Sequence, residues 1–149
     1  MAVTSAPDPE FRERVRASFA QQSIMATLGV SCERIEAGEC DLAFARRDDL
    51  LQQHGFVHAG VLATVLDSAC GYAAASLMPA DTGVLSIEFH THMLSPAAGE
   101  RFIARAKVVR AGRSITVVRA EVFAQNAGAE KLVAIMTATM MTVEGGVKG

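Results

Sequence analysis

Two features of the stretch Gln52–Met78, QQHGFVHAGVLATVLDSACGYAAASLM, could do chemistry. Asp67 is the single carboxylate in the apolar and small-residue run from Val57 to Met78. An ionised carboxylate taken into apolar surroundings costs several kcal/mol unless it is paired, hydrogen-bonded or put to work. His58 lies nine residues before it, where the apolar run begins, and is followed by Ala59 and Gly60. The first turn of a helix presents unpaired N–H groups and a partial positive charge, so Ala59 and Gly60 can offer donors to a carbonyl oxygen or an anion. A carboxylate that accepts a proton or attacks, and donors for an oxygen that turns negative, are what carbonyl chemistry needs. The alternative without chemistry is a structural Asp67 satisfied by Thr64 or by neighbouring backbone.

The segment holding these residues is apolar all round and reads as a helix inside a core. At helical spacing Gly60, Ala63, Thr64, Asp67, Gly71 and Ala74 share one face, whose small side chains let a second helix, a backbone or a ligand approach. Val61, Leu62, Val65, Leu66, Cys70, Tyr72 and Leu77 occupy the other faces as core residues. The run is long enough for a membrane span, but the central Asp, the abundance of Ala, Gly and Ser, and the polar flanks argue against one.

Around this helix the pattern is mostly strand. Pro9–Gln22 reads as a surface helix with Asp8 as N-cap, since Phe11, Val15 and Phe19 recur every four residues. Ser23–Leu28 continues apolar until Gly29 stops it. Val30–Glu36 and Glu39–Arg46 read as strands joined at Ala37-Gly38, with Cys40, Leu42 and Phe44 alternating in the second. Val84–Leu94 alternates Leu85, Ile87, Phe89, Thr91 and Met93 against Ser86, Glu88, His90 and His92. Arg101–Arg110, Ser114–Gln125 and Lys131–Val143 follow as long strands with short turns, predicting a twisted antiparallel sheet. Long open sheet edges invite pairing, so a homodimer is the minimum expected state.

Composition bounds the rest. The chain has 149 residues and a formal net charge of −2, enough for one domain and without the basic surplus that nucleic acid or an anionic membrane attracts. Cys32, Cys40 and Cys70 lack metal-type spacing and fit free thiols in a reducing cytoplasm. Residues 1–8 lack the basic start and apolar run of a signal peptide.

The layout resembles the hotdog fold, and the local sequence is similar to the PaaI-type acyl-CoA thioesterases. Their characteristic stretch is an Asn, a Gly three residues on, His-Gly-Gly, and an Asp nine residues after the His. Here it reads Gln52, Gly55, His58-Ala59-Gly60 and Asp67. The likeness continues through GVLSIEFHTHMLSPAAGE and VVRAGRSITVVRAEV and spans residues 26 to 143. Two positions depart from the pattern: Gln52 is one methylene longer than Asn, and Ala59 keeps its N–H but adds a methyl group.

The resemblance implies an α+β hotdog fold, a long central helix wrapped by a sheet of five or six antiparallel strands. Residues 1–25 would form the N-terminal helix and lead-in, and 26–149 the hotdog domain, in a single-domain chain. It implies hydrolysis of an acyl-CoA to free acid and coenzyme A with no cofactor beyond the coenzyme A of the substrate. Asp67 would be general base or nucleophile, with Ala59 N–H, helped by Gly60, as oxyanion donor. His58 would position the loop or the thioester, and Gln52 stands in the place of the orienting Asn. Ser86 would hold the attacking water or hydrogen-bond Asp67; otherwise it is a small polar residue on a strand face. Arg110, Gly112, Arg113 and Ser114 would bind coenzyme A phosphates, or else form a solvated hairpin tip. Nine helical residues separate His58 from Asp67 by about 13 Å, and in hotdog dimers the carboxylate comes from the partner's helix. A homodimer with shared sites follows, with a dimer of dimers as a further assembly.

Three rival readings remain. Glu88, His90 and His92 could gather a metal, but no further His/Cys cluster completes the ligands and a polar sheet face is expected. A hotdog enoyl-CoA hydratase or dehydratase would use His58 as base. A non-catalytic acyl-CoA binding module would leave Asp67 structural.

Overall fold

The computed structural model describes residues 5–148. Helices α1 (Phe11–Gln21) and α2 (Ser23–Leu28) lead into strands β1 (Ser31–Glu36) and β2 (Glu39–Ala45), then α3 (Ala59–Ala75) and strands β3 (Thr82–Met93), β4 (Arg101–Ala111), β5 (Ile115–Asn126) and β6 (Ala129–Glu144). The strands form one sheet in the order β1-β2-β4-β5-β6-β3, every neighbouring pair antiparallel. α3 crosses one face of this sheet and delivers β3 to the edge far from β1. Leu62, Val65 and Leu66 of the helix are buried with Leu42, Phe44, Phe102, Val118 and Met136 from the strands, and the Phe44 and Phe102 rings stack 5.2 Å apart. Among the described residues no helix is long and apolar enough to cross a membrane.

The lead-in follows its expected pattern with one correction. Phe11 and Val15 are buried, Phe19 meets Tyr72 edge-on at 5.9 Å, and Gly29 ends α2 in the left-handed conformation (φ 69°). Asp8 is not the N-cap: that place falls to Glu10, whose side chain makes no capping bond. Asp8 acts one step earlier, where Oδ1 accepts the Glu10 N–H at 2.9 Å and Oδ2 accepts Arg14 Nε at 2.7 Å. Arg14 also donates through Nη2 to the Ala75 and Met78 carbonyls at 3.1 and 3.0 Å. A cation thus closes the C-terminal end of α3, where carbonyls are orphaned and the helix dipole is negative. Arg14→Ala should cost about 2–3 kcal/mol, the scale for losing hydrogen bonds from a charged group, read as a lower urea midpoint with an unchanged slope.

The two sheet edges differ. α1 lies against β1, donating from Arg12 Nε to the Ile35 carbonyl at 3.2 Å and from Arg16 Nη1 to the Cys32 carbonyl at 3.3 Å. Those side chains occupy carbonyls that an incoming strand would use. Among the described residues β3 has no such side-chain cover, and Leu85, Ile87, Phe89 and Met93 along it are all exposed.

The expected alternation along β3 is overturned by a bulge. Ser86 pairs with Met140 and Glu88 with Thr139, leaving Ile87 as the extra residue. Directly paired residues share a face, so Ser86 joins Phe89, Thr91 and Met93 on the face toward α3, opposite Met140, Ala138, Met136 and Ala134. Glu88, His90 and His92 turn outward with Leu85. An added residue reverses the side-chain alternation, and that reversal brings Ser86 to the helix.

Candidate active site

His58 occupies the N-cap of α3 with extended backbone (φ −60°, ψ 137°). Its N–H donates to the Leu50 carbonyl at 2.9 Å, and the preceding Val57 N–H donates to Ala97 at 3.0 Å. The chain is therefore clamped at the point where the helix starts. His58 Nδ1 accepts the Gly60 N–H at 2.8 Å. A Cβ on Gly60 would stand 3.0 Å from that nitrogen, which is why the imidazole can fold so close. The Val61 N–H donates to the His58 carbonyl at 3.0 Å. The Gly60 N–H, expected as a helping donor, is thus engaged by its own neighbour. The Ala59 N–H has no acceptor among the described residues, and His58, Ala59 and Gly60 are exposed.

Gln52 belongs to the same mouth without reaching Ala59 by a hydrogen bond. Its side-chain oxygen accepts the His54 N–H, its backbone pairs with Phe56 and Gly55, and Gly55 supplies the positive φ (86°) that the turn requires. Gln52, His58, Ala59, Leu62, Met93 and Pro96 line a cavity of about 420 Å³.

Asp67 sits two turns further along α3. It is half-buried rather than enclosed, which corrects the reading of a helix covered on every side. The sheet covers the large residues, while Gly60, Ala63, Thr64, Asp67 and Gly71 form a partly open strip. Ser86 Oγ donates to Asp67 Oδ1 at 2.6 Å, so the expected contact between these two side chains is present. They line a second cavity, about 270 Å³, with Ser18, Gln22, Ser68 and Tyr72. Gln22 and Ser68 were not among the expected site residues. Ser68, buried and polar beside Asp67 in an apolar run, was the available signal.

The β4–β5 hairpin tip lies at the Asp67 end of the sheet. Thr116 pairs with Met140, which pairs with Ser86, and the Thr142 N–H donates to the Ser114 carbonyl at 2.8 Å just beyond that row. Gly112 closes the tip, its N–H 2.8 Å from the Ile115 carbonyl, where a Cβ would approach that oxygen to 2.7 Å. Arg110 and Arg113 are exposed, and neither forms a salt bridge among the described residues.

The outer face offers less. His90 and His92 stand with ring centroids 4.7 Å apart, and Thr139 Oγ1 donates to Glu88 Oε1 at 2.6 Å. Among the described residues no three metal-binding side chains gather. A larger hollow, about 740 Å³, lies around Arg34, Asp41, Arg105 and Arg119. Glu39, Glu130 and Glu121 neutralise its arginines. Burial raises the Asp41 carboxyl pKa despite Arg34 and Arg105, and none of the proposed site residues lines this hollow.

Residues 54–130, just over half the chain and reaching from the loop before His58 through β5, match the thioesterase superfamily. The chain belongs to that superfamily. A thioesterase family protein from Silicibacter pomeroyi is 49% identical, with a TM-score of 0.89 over 91% of this chain and 99% of that one. The Escherichia coli PaaI protein, from the phenylacetic acid degradation operon, shares the fold at a TM-score of 0.82 and 21% identity, over 91% of this chain and 95% of its own. A medium/long-chain acyl-CoA thioesterase of Escherichia coli K12, YigI, is 28% identical over 129 residues, 76% of this chain and 81% of the relative. This superfamily member has the hotdog architecture, six antiparallel strands around one long helix.

Proposed function

We propose that this chain is an acyl-CoA thioesterase working as a homodimer, with each site built from both subunits. One observation carries the reading. The Ala59 N–H, unpartnered among the described residues, and the Asp67–Ser86 pair stand about 12 Å apart along one helix and open into separate cavities, beside a sheet edge that no other described residue covers. Neither half suffices for a single carbonyl carbon. A second copy paired antiparallel along β3 covers the exposed apolar side chains and the small-residue strip, and sets Asp67 of one chain before Ala59 of the other.

In that arrangement the thioester oxygen accepts the Ala59 N–H at the positive end of α3. Ser86 holds Asp67 Oδ1, leaving Oδ2 toward water. Asp67 takes a proton from the water as its oxygen bonds to the thioester carbon. The tetrahedral intermediate then collapses, breaking the carbon–sulfur bond, and the coenzyme A sulfur leaves with the proton returned by Asp67. Free acid and coenzyme A are the products. YigI, an acyl-CoA thioesterase by name, supports acyl-CoA as the substrate class.

The hydratase reading is weaker because His58 Nδ1 already accepts the Gly60 N–H. In the neutral imidazole the proton then sits on Nε2, which can donate to a carbonyl but offers no lone pair to act as base. An acyl-CoA panel with a thiol reagent separates the possibilities. Hydrolysis releases free thiol; hydration removes enoyl absorbance without thiol; a binding module does neither, and either of the last two results overturns the proposal.

Arg110 and Arg113, free of carboxylate partners among the described residues at the Asp67 end, are placed to grip the phosphates of coenzyme A. Arg113→Ala should raise KM for an acyl-CoA about tenfold with kcat nearly unchanged, as expected for contacts made equally in ground and transition states. The same change should leave a truncated thioester without the nucleotide unaffected. Equal effects on both substrates would remove this role.

A further inference from the structure

We propose that Gln22 and Ser68 form the far wall of the acyl site and select short acyl groups that carry a neutral hydrogen-bonding oxygen. This rests on the thioesterase reading above and goes beyond it to a substrate class.

The cavity beside Asp67 has Asp67 and Ser86 in one wall and Ser18, Gln22, Ser68 and Tyr72 in the others, with a volume of about 270 Å³. In the proposed arrangement a thioester carbon attacked through Asp67 lies at the mouth of this cavity, which is placed to receive one of its two substituents. The coenzyme A arm is long and ends in phosphates, so the acyl group is the one that fits. At about 30 Å³ for a water-sized group, the space holds roughly nine such groups, and a cavity of about 150 Å³ already takes benzene. A long alkyl chain exceeds the space that this one chain supplies.

The wall is polar and preset. Ser68 is buried on α3, and its hydroxyl donates to Gln22 Oε1 at 2.8 Å. That bond turns the Gln22 carboxamide so that its NH₂ group, which has no acceptor among the described residues, remains available. Gln22 is itself fixed by the break between two helices, closing α1 through its N–H to the Phe19 carbonyl at 3.0 Å and opening α2. Donors held in this way favour a substrate oxygen, and a site built to bond one rejects an analogue that leaves it unpaired. Asp67 in the same cavity opposes a second carboxylate, so the matching group is an uncharged hydroxyl or carbonyl. Gln22 precedes residues 54–130, the part matched to the superfamily, so this selectivity comes from the lead-in.

The test compares matched pairs on the full-length protein: hexanoyl-CoA with 6-hydroxyhexanoyl-CoA, and butanoyl-CoA with 3-hydroxybutanoyl-CoA, with dodecanoyl-CoA as the long chain. Wild type should favour the hydroxylated member of at least one pair by about tenfold in kcat/KM, the scale of one well-placed hydrogen bond, and should hydrolyse dodecanoyl-CoA more slowly than hexanoyl-CoA. Gln22→Leu, which keeps the bulk and deletes the donors, should bring that pair to within about twofold. Both members are measured on one preparation, so partial unfolding scales them alike and leaves the ratio intact. No preference in wild type, a preference that survives Gln22→Leu, or equal turnover of dodecanoyl-CoA would overturn the acyl-site assignment alone. Failure to hydrolyse any acyl-CoA would overturn the thioesterase reading and this inference with it.

Discussion

Asp67→Asn should slow acyl-CoA hydrolysis by at least about a hundredfold, within the range of 10² to 10⁴ that general-base catalysis supplies. The change is nearly isosteric, and the amide oxygen can still accept from Ser86 Oγ, which lies 2.6 Å from Asp67 Oδ1. What disappears is the ability to take a proton from water. Because Asp67 is half-buried and makes no ion pair among the described residues, the fold and the assembly should survive. Thiol release under saturating substrate gives the rate, and the thermal midpoint with the sedimentation coefficient gives the fold and assembly. Wild-type turnover in a folded Asp67→Asn protein would sink the mechanism. Unfolding would instead favour a structural carboxylate.

The second large effect is a rescue. Ala59→Pro deletes the one N–H at the start of α3 that has no partner among the described residues. Proline suits the first helical position, and the residue before a proline must be extended. His58 already is, at φ −60° and ψ 137°, so the fold has little to rearrange. Each variant alone should be nearly inactive. In a mixed dimer, one site carries both defects and the other neither. With random exchange about half of the dimers are mixed and half of their sites are intact, so activity should return to roughly a quarter of wild type if the site is shared across a two-fold interface. If both variants fold and exchange subunits while activity stays absent, Asp67 and Ala59 serve one site in the same chain, and the shared arrangement is wrong.

Much of the architecture was legible because it rests on patterns with strong periods. The apolar run after His58 gave α3, and the alternation of Cys40, Leu42 and Phe44 gave β2 and its buried face. Gly29 marked the end of α2 through the left-handed conformation that glycine adopts cheaply. The misreadings have physical causes. All-round apolarity predicted an enclosed Asp67, since residue types alone do not say which apolar face meets the chain's own sheet and which is left open. Strict alternation sets Ser86 apart from Phe89 and Met93, whereas the bulge at Ile87 leaves no mark in the residue types. Nothing in the spacing says that His58 bends back onto Gly60 and engages its N–H. Gln22 and Ser68 meet across 46 positions of sequence, and only the packing of α1 and α2 beside α3 brings them together.

The unequal treatment of the two sheet edges limits how many chains can add in a row. A chain with two free ends of sheet could accept a neighbour on each side and grow into a fibre, as open edges do in cross-β aggregates. With Arg12 and Arg16 occupying carbonyls of β1, this chain would have a combining valence of one under the proposed pairing along β3. A copy that joins along β3 presents its own arginine-covered strand at the far end, so the growing sheet terminates with its first addition.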